Sequence, residues 1–148
     1  MSERQIAVYN QFRNAQDKHT YFLLAAVGAA IGFALRETVS APLQWSEVPL
    51  AIAVLCWLLS FYCGCKQSHH TVSGLYSNFE LLTVQAGEHV LTGIHPEKIA
   101  IASEELKRGI AKNSSNAEYF GKTQFRLLLW GAIFYIGWHI WEMWVRTP

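Results

Sequence analysis

A length of 148 residues is enough for one domain or one membrane unit, and a net charge of +1 gives no electrostatic reason to expect a nucleic-acid partner. Three stretches, residues 19–35, 48–65 and 127–141, contain no Asp, Glu, Lys or Arg. A chain this short does not easily bury three uncharged helices on every side. The pattern therefore favours an all-α membrane protein with three transmembrane helices over the alternative, a soluble helical domain.

The first twenty residues predict an amphipathic helix that leads into the first uncharged run. Ser2 and Gln5 form a capping box, and Ile6, Tyr9 and Phe12 recur on one side of the helix that follows. This entry helix, residues 1–20, should continue directly into the first span.

Four small residues lie on one face of the first span, within a GxxxG pattern: Ala25, Gly28, Ala29 and Gly32. Small side chains let a second membrane helix approach backbone to backbone. We therefore predict that this face mediates self-association.

The first two runs predict an antiparallel transmembrane hairpin, residues 21–65, because the segment between them is short and contains Pro42. Lys and Arg number three before the first run, one between the first and second runs, seven between the second and third runs (residues 66–126) and one after the third run. The positive-inside rule then places the N-terminus and the second connection in the cytoplasm and the C-terminus outside. The lipid bilayer is the first partner that the sequence predicts.

The second connection, residues 66–122, predicts a cytoplasmic helical hairpin. Its first helix carries a coiled-coil-like stripe with alternating spacings of three and four: Val72, Leu75, Phe79, Leu82 and Ala86. Gly93 and Pro96 should separate it from a second helix. The stripe of that second helix should pack against the first: Ile99, Ala102, Leu106 and Ile110.

The second lobe helix should end at Asn113 and Ser114, because these residues favour turns over helix interiors. Ser115 and Glu118 form a second capping box, which predicts a new helix running into the third span, residues 123–148.

Three sets of side chains have the chemistry for a site. Cys65 and His69 lie four apart on one helix face, which provides half of a metal site that a second chain or a distant residue would have to complete. His139 and Glu142 lie three apart near the outer interface, where an aromatic anchoring belt competes with a metal or proton site. A basic surface could bind an anionic ligand or an acidic protein: Lys107, Arg108 and Lys112.

The sequence contains no glycine-rich phosphate loop, no serine nucleophile with a plausible base and no paired core carboxylates. We therefore predict a protein that is not an enzyme and has no cofactor. The open alternatives to a self-assembling protein are an accessory subunit of a larger membrane complex and a metal- or proton-handling membrane protein.

The layout resembles the SLATT-type membrane effectors of bacterial conflict systems, in which a two-helix membrane hairpin continues into cytoplasmic helices. Here the hairpin helices are residues 21–35 and 48–65, and the third span is an addition to the simplest two-span pattern. The resemblance implies an inner-membrane oligomer that disturbs or permeabilises the bilayer when its cytoplasmic lobe senses a partner or ligand.

Overall fold

The computed structural model describes residues 3–38, 45–90 and 93–146, and this part of the chain is all-helical. It contains three long helices: α1 (Glu3–Thr38), α2 (Val48–Gln85) and α3 (Pro96–Arg146). A 3₁₀ turn at Trp45–Glu47 leads into α2, and Pro42 lies outside the described residues. The predicted all-α class is confirmed.

Two helices are long and apolar enough to cross a membrane: α1 within Asp17–Arg36, and α2. The helix α3 does not meet the same standard over its described residues. Its uncharged run, residues 127–141, is short, and three Trp and one His within it lower the mean hydropathy. Three transmembrane spans therefore remain a prediction.

The helix α3 is continuous over 51 residues, so the predicted break at Asn113 and Ser114 is wrong. The Asn113 side chain is used in a tertiary contact instead of a turn: its Oδ1 lies 3.1 Å from Nδ1 of His70. Helix propensity is a weak preference that such packing overrides.

The helix α2 ends at Gln85, earlier than the predicted stop at Gly93. Gly87 has a φ of 74°, and the amides of Gly87 and Glu88 donate to the carbonyls of Val84 and Thr83. This is a Schellman cap, in which a glycine adopts the left-handed conformation just after the helix. The predicted start at Pro96 is correct.

The chain divides into two compact units, which we call the three-helix unit (Met1–Gly64 with Lys122–Pro148) and the lobe (Cys65–Gly121). All three helices contribute to the core of the three-helix unit, which is formed by Val27, Ala34, Leu50, Trp57 and Trp138. The third uncharged run thus packs against the first two.

Trp57 of α2 packs against α3 at Gly131. The indole lies where a Cβ on Gly131 would be, and Nε1 of Trp57 donates to the carbonyl of Leu128 at 3.3 Å. The ring centroid of Tyr135 is 5.7 Å from that of Trp57. The absence of a side chain at position 131 therefore sets how closely α2 and α3 approach.

In the lobe, α2 and α3 also approach at glycines. A Cβ on Gly74 would lie 3.6 Å from Cβ of Asn113, and one on Gly121 would lie 2.9 Å from Nε2 of Gln67. Among the described residues of the lobe, the buried side chains are few: Leu81, Val84 and Ser103.

Replacing Gly131 with Ala should lower stability by about 1–3 kcal/mol, because the new methyl group would overlap the Trp57 indole. Gly137 is the matched control, since it lies on the same helix and a Cβ there meets nothing within 4 Å. The midpoint of thermal unfolding in detergent should fall for Gly131→Ala and stay level or rise for Gly137→Ala. Equal midpoints for the two variants would contradict the contact.

Candidate functional site

The small-residue face of α1 is exposed along its whole length: Ala25, Gly28, Ala29 and Gly32. A Cβ added to Gly28 or Gly32 would meet no atom within 4 Å. The core of the three-helix unit uses a different face of α1, which carries Val27 and Ala34. The predicted self-association face is therefore unoccupied within the described part of one chain.

A set of buried polar side chains in the three-helix unit was not predicted: Thr20, Ser60 and Gln124, one from each helix. Oγ of Ser60 donates to the carbonyl of Gln124 at 2.8 Å. The side chain of Gln124 is fully buried, and neither Nε2 nor Oε1 has a hydrogen-bond partner among the described residues. Gly64 makes room for it, since a Cβ there would lie 2.6 Å from Nε2.

Gln124 escaped prediction because it lies just before an uncharged run, where a polar residue is expected to face water. Gly64 is the signal that could have found it, because a glycine inside an apolar helix often marks a close approach.

The predicted packing of the lobe does not hold for three residues of the α2 stripe. Val72, Phe79 and Leu82 have 64%, 65% and 59% of their surface exposed, and Tyr76, beside them, has 66% exposed. The other predicted packing residues are partly buried: Leu75, Ile99, Leu106 and Ile110. Most of the α2 stripe therefore faces away from α3.

Polar groups beside this outward stripe are satisfied within their own chain. The hydroxyls of Thr71, Ser77 and Thr83 each donate to a carbonyl four residues earlier in α2. Oε2 of Glu80 lies 3.5 Å from Nε2 of His89. Glu80 also raises the pKa of the Tyr76 phenol, through a side-chain hydrogen bond and its negative charge.

The candidate metal pair, Cys65 and His69, stays a prediction from its helical spacing. Cys65 and His69 are both exposed, and the described residues contain no group of three or more His, Cys, Asp or Glu that could hold a metal ion. The neighbouring His70 has a packing role, because its ring stacks on Phe120 with centroids 5.6 Å apart.

His139 and Glu142 occupy the last turns of α3. The imidazole of His139 stacks on Tyr135 at a centroid distance of 6.4 Å and contacts the indole of Trp138. The two interpretations of this pair, an aromatic anchoring belt and a metal or proton site, both stay predictions.

The basic surface is partly neutralised within the chain. The guanidinium of Arg108 pairs with Glu104 at 2.8 Å and with Glu105 at 3.2 Å. Lys107 and Lys112 are exposed. Arg108 therefore contributes less to anion binding than its charge implies.

Comparisons with protein family models, with curated proteins and with solved structures found no match.

Replacing Gln124 with Met should raise the midpoint of thermal unfolding in detergent, because it removes two buried polar atoms that lack partners and keeps a side chain of similar length. The gain should be about 1–3 kcal/mol. Gln85, an exposed glutamine at the end of α2, is the matched control for the same substitution. A lower midpoint for Gln124→Met than for Gln85→Met would show that the amide is satisfied.

Proposed function

We propose that this chain is a small bacterial inner-membrane protein that assembles from several copies and disturbs or permeabilises the bilayer when its cytoplasmic lobe senses a partner or ligand. The observation that carries the proposal is the outward surface of the three-helix unit, which is apolar on all three helices. Water would leave such a surface unfavourably hydrated, whereas lipid tails would cover it at no cost.

Large exposed apolar side chains occur on each helix at the level of the shared core. Among them are Phe22 and Phe33 of α1, Leu55 and Leu59 of α2, and Ile133, Ile136 and Ile140 of α3. Although α3 is less apolar overall, its outward residues match those of the other two helices. This supports placing all three helices in the membrane. The orientation that we propose, with the N-terminus cytoplasmic and the C-terminus outside, rests on the distribution of Lys and Arg along the sequence.

The exposed face of α1 supports assembly from several copies. Lipid tails pack well against a helix that is covered by large side chains. A face made of Ala and Gly exposes the backbone, and a second helix packs against that backbone more closely than lipid tails do. Packing between two such faces would be through Gly28 and Gly32. The defence role rests on the architectural resemblance to SLATT-type effectors, in which a membrane hairpin is joined to cytoplasmic helices.

Replacing both Gly28 and Gly32 with Leu should lower the number of chains in the assembly, because two added side chains would hold the helices apart. Native mass spectrometry of protein in nanodiscs measures this directly. Gly137→Leu is the control, since Gly137 is an exposed glycine of α3 where an added Cβ would meet nothing within 4 Å. An unchanged mass for a folded double variant would remove the α1 face from the proposal.

Overproduction should bring about assembly without the natural trigger, because association increases with concentration. Bacteria that overproduce the protein should then lose membrane potential, as read by a potential-sensitive dye. The Gly28→Leu, Gly32→Leu double variant should preserve the potential, and Gly137→Leu should collapse it. If the membrane potential stayed normal with the unaltered protein and with every variant, at matched protein levels, the result would favour an accessory subunit that needs a different partner.

A further inference from the structure

We propose that the outward stripe of α2 in the lobe pairs with the same stripe of a second copy, as a parallel and in-register two-helix contact that begins at Cys65. This inference rests on the proposed function, because it needs both copies in one membrane. It adds a second contact, in the lobe, to the one proposed for α1.

The position of the stripe residues fits such a pairing. Cys65, Val72 and Phe79 are seven residues apart, and Leu82 follows Phe79 at the intermediate spacing. Leu75, which is partly buried within its own chain, holds the equivalent position after Val72. This is the a and d pattern of a two-stranded coiled coil, in which equivalent residues of the two helices face each other. The helix α2 is unbroken from Val48 to Gln85, so Cys65 belongs to the same regular helix as the rest of the stripe.

The low charge of this segment gives a charged partner nothing complementary to bind and gives a second copy nothing to repel it. Between Lys66 and Glu88, the only formally charged residue is Glu80, whose carboxylate already lies against His89 and Tyr76 of its own chain. Two identical neutral stripes can therefore meet without repulsion between like charges. The internally bonded hydroxyls of Thr71, Ser77 and Thr83 need no water that such a contact would displace.

The exposed apolar area of the stripe is also large enough for a specific interface between two copies. Pairing Val72, Tyr76, Phe79 and Leu82 of two copies would bury on the order of 1,000 Å² in total, which is near the lower limit for a specific interface. Membrane anchoring compensates for this small area, because it confines the two copies to one plane and orients them alike. The same anchoring requires the two α2 helices to run parallel.

Cys65 provides a built-in test of this arrangement. The protein is prepared with Cys56→Ala and Cys63→Ala, so that Cys65 is its single thiol, and is treated in proteoliposomes with a short bismaleimide. Parallel, in-register pairing brings the two Cys65 thiols together and should convert most of the protein to a covalent dimer on a denaturing gel. Moving the thiol to the adjacent position, as Cys65→Ser with Lys66→Cys, should reduce the dimer severalfold.

Substitutions in the stripe distinguish a dimer formed through the stripe from a dimer formed by nonspecific association. Val72→Glu with Phe79→Glu should abolish the Cys65 dimer, whereas Ile101→Glu should preserve it, because Ile101 is equally exposed at 69% but lies on α3. Circular dichroism checks that each variant keeps its helix content.

The native mass of the same samples distinguishes the two proposals. An oligomer without a Cys65 dimer would overturn the stripe contact and leave the proposed assembly intact. A monomer without a Cys65 dimer would overturn both. A Cys65 dimer that persists in the Val72→Glu, Phe79→Glu variant would also overturn the stripe, because contact would then arise elsewhere.

Discussion

The fit of Trp57 against Gly131 is the contact on which the three-helix unit depends. Because position 131 has no side chain, the indole reaches the backbone of α3, where it donates to the carbonyl of Leu128 and packs beside Tyr135. The same principle recurs at Gly64, which accommodates Gln124. Helices joined in this way are held by shape and by hydrogen bonds to backbone, which function as well in lipid as in water.

The helical class and much of the helix layout could be predicted from the sequence, because uncharged runs and apolar periodicity report directly on the solvent that each face meets. Helix ends were less predictable. Gly87 and Gly93 are both plausible stops, and only the hydrogen bonds of the Schellman cap select the first. The expected break at Asn113 failed because its side chain is recruited by His70, a contact between residues far apart in the chain.

The candidate sites were harder to predict than the helix ends, because they depend on contacts between residues far apart in the chain. A stripe with a heptad pattern shows that a helix has a partner, but the pattern is the same whether that partner is the next helix or a second chain. Here Leu81 and Val84 face the interior of the lobe, while Val72, Phe79 and Leu82 face outward. Similarly, Gly28 and Gly131 look alike in sequence, yet one is exposed and the other holds an indole. Only the tertiary structure shows which of these glycines packs against another helix of the same chain.

The modest hydropathy of α3 has a consequence for biogenesis. By length and composition, α1 and α2 are apolar enough to cross a membrane, whereas the described residues of α3 do not meet the same standard. What α3 lacks in apolar length it recovers through its contacts with the other two helices, since Trp138 and Leu128 pack into a core that contains Val27 and Leu50. In the proposed membrane arrangement, the hairpin of α1 and α2 therefore inserts first, and α3 is then held in the membrane by packing against it. Synthesis from the N-terminus produces the helices in that same order, so the ribosome delivers the dependent segment last.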